Sequence, residues 1–232
     1  WQDCPPRTQV AFHGGTPFGP SDVMQRGRFV PAAHGNMRWN HNSVYYHELV
    51  ADAAERGGSA LDVGCGDGEL LELLAGVCER VVGVEEDPVA ARAAADRVAG
   101  SGTVICGDFM AAKSLPLAGF DTITCVACLQ HLPLEAALAQ MAELLRPGGR
   151  LLVIGLSANK SLVDWLLSAL MIVPGRVSGW IHRESTFPGM RVAWPRESLG
   201  EIRSVASILL PGARIRRRLY WRYSLMWTKP AA

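Results

Sequence analysis

The stretch LDVGCGDGEL, from Leu61 to Leu70, sets Gly64, Gly66 and Gly68 directly after a short apolar strand. Glycine accepts a sharp left-handed turn and lets a ligand approach the backbone closely. A turn of this kind at the carboxyl end of a strand is where open α/β sheets bind ligands. The next apolar run, VVGVEED (81–87), reads as a second strand. Glu85 at its end stands about 20 residues beyond the first glycine, the distance at which a carboxylate reaches ribose hydroxyls. Its neighbour Glu86 falls on the other strand face and reads as a solvated charge. Together the two segments predict a nucleotide-binding turn in an α/β fold.

The spacing separates two classes of nucleotide. Dinucleotide folds carry G-x-G-x-x-G, with a free helix N-terminus for the pyrophosphate. Here the pattern is G-x-G-x-G, with Asp62 before it and Asp67 and Glu69 within or just after it. Carboxylates repel phosphate, so this loop suits a ligand with positive charge and no phosphate, such as the ammonium and sulfonium of S-adenosyl-L-methionine (SAM). Further along come Asp108-Phe109 in VICGDFM, FDTITCVACLQHL (120–132) and ELLRPGGRLLVIG (143–155). In this order the motifs resemble the class I SAM-dependent methyltransferases, and most closely their small-molecule "type 11" branch, over residues 40–156.

The resemblance implies an α/β fold, Rossmann-like, with a seven-stranded, mostly parallel, doubly wound sheet in the order 3-2-1-4-5-7-6 and the last strand antiparallel. It also implies SAM as methyl donor and S-adenosyl-L-homocysteine (SAH) as product. Carried onto this sequence, the loop residues Gly64, Cys65, Gly66 and Gly68 pack against the methionine part, and Asp62 holds its ammonium directly or through water. Glu85 binds the ribose, Asp108 accepts from the adenine amino group, Phe109 packs beside the ring, and Ala127 completes the cofactor-binding set. His131, after the fourth strand, is either a general base for a hydroxyl or amine acceptor or a packing residue of the strand–helix junction.

Alternating strands and helices support that architecture independently. Strands are predicted at 59–64, 80–85, 102–106, 120–126 and 149–155, and helices at 42–57, 67–76, 88–99 and 134–146. Such alternation implies right-handed crossovers and a parallel sheet. In the first helix, Val44, His47 or Glu48, and Ala51 fall at helical spacing. A helix over 194–213 precedes two strands in 213–229, joined near Tyr220–Arg222 too tightly for anything but an antiparallel pair. The run Arg214, Arg216, Arg217, Arg218 and Arg222 in that hairpin reads first as a solvated edge.

The 232 residues suit one domain, 41–232, preceded by an irregular Gly- and Pro-rich extension or lid over 1–40. Residues 157–193 form a lid-like insertion; its apolar part is too short to span a bilayer. A substrate lid, a dimer contact and an interfacial helix remain open for it. Trp39, His41 and Tyr46 near the first helix, with Trp165 in the insertion, are candidate substrate-pocket residues. Trp39, His41 and Tyr46 have an alternative as aromatic docking groups of an N-terminal helix.

A net charge of +1 supplies no general attraction to nucleic acid. Only Lys113, Lys160 and Lys229 are lysines, a codon bias of GC-rich bacterial genomes. Six cysteines without a secretory signal read as free thiols in a cytoplasmic protein. Cys125-x-x-Cys128 lacks the two further ligands a metal would need, so no metal is expected. The expected activity is methyl transfer to O, N or C of a small, partly apolar molecule in bacterial specialised metabolism, by a monomer or homodimer. A methyltransferase of RNA would carry a basic face and an Asn-Pro-Pro-Tyr type signature after strand four, where this chain has ACLQHL. A SAM-binding protein of this fold without transfer activity fits the same motifs.

Overall fold

Seven strands form one sheet in the order β3-β2-β1-β4-β5-β7-β6. A computed structural model describes residues 41–160, 194–218 and 222–231 of the chain. The extension 1–40 and nearly all of the insertion, including Trp39 and Trp165, lie outside the described residues. So does Cys4. The strands are β1 (Ser59–Val63), β2 (Arg80–Glu85), β3 (Thr103–Cys106), β4 (Phe120–Val126), β5 (Leu145–Leu156), β6 (Arg214–Arg217) and β7 (Arg222–Thr228). β1 pairs in parallel with β2 and β4, β2 with β3, and β4 with β5, whereas β7 runs antiparallel to both β5 and β6. Order and directions are those the resemblance implied.

The helices are α1 (Tyr46–Arg56), α2 (Glu69–Ala75), α3 (Pro88–Arg97), α4 (Leu134–Leu144) and α5 (Leu199–Leu209). Alternation along each strand sends successive side chains to opposite faces, and two cores result. On one side Leu49, Leu71 and Ala94 of α1, α2 and α3 pack over Ala60, Val81 and Leu152. On the other, Leu138, Met141 and Ile202 of α4 and α5 pack over Leu61, Ile123 and Leu151. The sheet is the middle layer of three.

Several local expectations change. A short 3-10 turn, Ser43–Tyr45, precedes α1, and the buried face of the segment is Tyr45, Leu49, Val50 and Ala53. Val44 is instead 40% exposed, and Ala51 is exposed: the apolar stripe is offset from the one expected. α4 stops at Leu144, because Leu145 already pairs with Phe120 and β5 continues through Pro147-Gly148-Gly149 after a register shift. α5 begins only after Ser198, whose side chain accepts from the Glu201 N–H while Glu201 accepts in return from the Ser198 N–H. That reciprocal cap is legible in Ser198-Leu199-Gly200-Glu201. The flanks of the insertion meet, since the Ala158 N–H donates to the Glu197 carbonyl at 2.8 Å. Cys65, Cys78, Cys125 and Cys128 are free thiols, but Cys106 is disulfide-bonded, so the expectation of free thiols fails there.

The arginine run also changes character. Arg214, Arg216 and Arg217 are exposed on the outer strand β6. Arg218 is only 26% exposed and pairs with Glu48 of α1, and both Nε and Nη2 of Arg222 donate to Asn42 Oδ1. For those two, a solvated edge is the wrong description.

Candidate functional site

Each of the first three strands has a carboxylate within two residues of its last position, beside a tight turn: Asp62, Glu85 and Asp108. After β1 the chain turns through Gly64 (φ +69), Gly66 (φ +56) and Gly68 (φ +83), a region L side chains rarely adopt. At Gly64 space matters too: an added Cβ would stand 2.4 Å from Cys128 Sγ. At Gly68 it would stand 2.8 Å from the Ala94 backbone, where α2 and α3 touch. Glu85 fastens this loop to the end of β2, accepting from the Gly66 N–H through Oε2 and from the Asp87 N–H through Oε1, both at 2.9 Å. After β3, Asp108 accepts from the Met110 N–H at 2.8 Å through Oδ1, leaving Oδ2 without a partner among the described residues.

These turns surround one cavity of about 630 Å³ at the carboxyl ends of the strands. It opens where the strand order reverses between β1 and β4, the place open α/β sheets use for ligands. Asp62, Gly64, Cys65 and Gly66 line it from the first turn, Glu85 from the second, Asp108 and Phe109 from the third, and Ala127 and His131 from the fourth. Tyr46 lines it as well, from the first turn of α1. Gly68 and His41 are not among the lining residues. Residues that the sequence motifs do not single out also contribute, notably Asn42, Glu86, Met110 and Cys128. Glu86 thus faces the cavity and not only solvent. Met110 follows Phe109 directly, and its proximity to the Asp108-Phe109 pair is the signal that points to it.

Electrostatically the cavity is acidic on its glycine side. Asp62 is 2% exposed. Burial, aided by the Glu85 charge, pushes its carboxyl up to about 7, although a 2.7 Å hydrogen bond from Thr124 Oγ1 to Oδ1 opposes the shift. Burial, followed by the charges of Asp62, Glu69 and Asp67, drives the Tyr46 phenol well above its usual range. It therefore stays a neutral donor facing carboxylates. The Cys65 thiol is likewise raised, by burial first. Asp67 is drawn off to the side by a 3.1 Å ion pair with Arg97.

The wall after β4 is chemically different. Ala127 holds φ +50, a sparsely populated conformation for a residue with a Cβ, at the strand's end. Its N–H donates to the Ile154 carbonyl at 2.7 Å and its carbonyl accepts from Gln130 Nε2 at 2.7 Å, so both sides of the strained peptide are tied. His131 is exposed, and its ring makes no hydrogen bond among the described residues. With Leu132, Pro133 and Met110 nearby in the lining, this side offers one imidazole in a largely apolar surface. Among the described residues no cluster of three His, Cys, Asp or Glu could hold a metal ion, and no helix is long and apolar enough to cross a membrane.

Known proteins share this family signature and fold. Residues 61–153 match the family described as Methyltransferase domain. The chain is 34% identical over 203 residues to an uncharacterised methyltransferase of Mycobacterium bovis, a match covering 83% of this chain and 98% of that protein. It is 32% identical over 147 residues to the ubiquinone biosynthesis O-methyltransferase of Idiomarina loihiensis, covering 62% of this chain and 58% of that one. Among solved structures, a TehB-like SAM-dependent methyltransferase from Corynebacterium glutamicum superposes with TM-score 0.52 at 19% identity, covering 79% of this chain and 86% of its own. A Pyrococcus horikoshii protein superposes with TM-score 0.58 at 16% identity, covering 82% and 92%. At those identities the structures speak for the fold alone.

Proposed function

Because the chain belongs to the class I SAM-dependent methyltransferases, we propose that its cavity takes SAM and that the protein transfers the methyl group to a small molecule, releasing SAH. The observation that carries this reading is the match between donors and acceptors. SAM presents an ammonium, two ribose hydroxyls and an adenine amino group, all hydrogen-bond donors, and the cavity offers Asp62, Glu85 and Asp108 from three successive strand ends. The backbone at Gly66 and Gly107 is open, with nothing within 4 Å of where a Cβ would stand, and both residues line the cavity. A phosphate would meet no lysine or arginine among the described lining residues.

SAM supplies an electrophilic methyl whose leaving group departs as a neutral thioether. The residues' task is therefore alignment and exclusion of water more than bond-making. Asp62 fixes the ammonium end, Glu85 the ribose and Asp108 the adenine, with Phe109 beside the ring. The acceptor stands against His131, Leu132 and Met110, which suits a small molecule with an apolar body and one nucleophilic group. The name of the Idiomarina relative favours oxygen as the atom methylated, and on this reading His131, which lines the cavity, takes the proton that a hydroxyl gives up. Nitrogen and carbon acceptors remain in the test.

Calorimetry should show SAM and SAH binding at micromolar Kd, roughly −8 kcal/mol, with no binding of NAD. Radiolabelled methyl transfer to a panel of hydroxylated aromatics, amines and enolic acceptors then identifies the nucleophile. Tight NAD binding without SAM binding would overturn the proposal.

A further inference from the structure

Asn42 stands immediately before the 3-10 turn that leads into α1, where an asparagine side chain ordinarily caps the following N–H groups. It makes no such cap. Its Oδ1 accepts instead from Arg222 Nε at 3.1 Å and Nη2 at 2.9 Å, a forked contact to a residue 180 positions away. Next to it Arg218 Nη2 donates to Glu48 Oε1 on the first turn of α1 at 2.5 Å, while Arg218 Nε is held by Ser224 Oγ at 2.9 Å. The hairpin that carries both arginines is itself closed by the Arg218 N–H on the Arg222 carbonyl at 2.8 Å. Hydrogen bonds from a charged donor are about twice as strong as neutral ones.

The other end of α1 is tied separately. Asp52 pairs with Arg150 of β5, and Arg56 Nη1 donates to the Gly148 carbonyl at 2.6 Å. Between these ends Leu49, Val50 and Ala53 are buried against the sheet. The N-terminal end is the part that matters for the cavity, since Asn42 and Tyr46 line it. Two arginines of the β6–β7 hairpin reach that end with side-chain hydrogen bonds.

We infer that Arg222 and Arg218 are positioning residues: the β6–β7 hairpin clasps the Asn42–Glu48 segment and so holds Asn42 and Tyr46 as a wall of the cofactor cavity. The inference rests on the reading of that cavity as the SAM site. Breaking the clasp leaves the sheet and the core under α4 and α5 intact, but loosens the segment, Tyr45 with it, from the edge of the other core and from the cavity.

The test is amide hydrogen exchange on the whole chain without ligand, paired with calorimetry using SAH. Arg222→Met should raise exchange at residues 43–50 by about tenfold relative to wild type, with the central strands unchanged, as expected for local opening. It should also weaken SAH binding by about tenfold. Glu48→Ala, a half-exposed site whose loss empties no core, should do the same more weakly, about two- to threefold in each measurement, and serves if Arg222→Met folds poorly. Unchanged exchange at 43–50 overturns the inference, and so does a rise spread equally over the strands, which would be a general loss of stability. If exchange rises locally but the wild type binds no SAH, the clasp stands and the reading of the cavity falls.

Discussion

Asp62 is the residue on which stability and binding pull in opposite directions. Its carboxyl has an ordinary value of 3.8 and rises to about 7 in the fold. Between those pH values the folded chain keeps a proton that the unfolded chain releases. Its contribution to stability is thus fully present below about pH 4 and is lost as pH rises through 7. Asp62→Asn, which can still accept from Thr124, should raise the unfolding free energy of the ligand-free protein at pH 8 by about 2–4 kcal/mol. At pH 4 it should change little; urea unfolding at the two pH values checks both. The same variant should weaken SAM binding by about 10–100-fold. In the wild type, affinity should fall by up to about tenfold per pH unit below 7, because the ammonium needs the ionised form. His131 poses a kinetic question. If it takes the acceptor's proton, His131→Ala lowers kcat by about 10²–10⁴-fold, leaves SAM affinity alone and removes a limb of the pH–rate profile. A loss below about tenfold assigns the rate to alignment. Asp62, Glu85 and Asp108 are legible in the sequence because each stands within two residues of a strand's end; Asn42 is not, because its partner lies 180 positions away.

Among the elements, strand identity is easier to read than helix ends. β1 to β4 fall within a residue of expectation since each is a short apolar run bounded by turn residues. The break between α4 and β5 is misplaced by the sequence because Pro147-Gly148-Gly149 looks like a stop signal, whereas the partner strand recruits Leu145 before it. The offset of the α1 face has a similar cause: Val44 and Ala51 keep helical spacing, but the 3-10 turn at Ser43–Tyr45 rotates the helix after it. Pairing and packing decide such boundaries, and neither is local. Gly68 tests the α2–α3 contact directly. Gly68→Ala meets both a positive φ and a 2.8 Å approach to the Ala94 backbone, with no flexible side chain to yield. It should cost at least about 2 kcal/mol by chemical denaturation. Since Gly68 does not line the cavity, SAM affinity measured well below the melting temperature should change less than threefold, or roughly under 0.7 kcal/mol.

For the whole molecule, the glycine loop and the second carboxylate are enough to find the cavity at the strand ends, and the motif order is enough for the topology. What they leave out is how the segment before α1 is held, because that depends on residues far apart in the chain. β7 lies between β5 and β6 although it follows both in sequence, and Arg222, its first residue, meets Asn42 across 180 positions. On a ribosome adding about 5–20 residues per second, roughly 10–40 s separate the synthesis of those two side chains. From the completion of β5 at Leu156 until β7 begins at Arg222, the nascent protein holds five parallel strands with β5 as a bare edge. α1 has emerged, but Arg222, which meets Asn42 just before it, has not yet been made. Chaperone dependence should therefore end with completion of the β6–β7 hairpin, and a nascent chain would acquire its affinity for cofactor only as that hairpin leaves the exit tunnel.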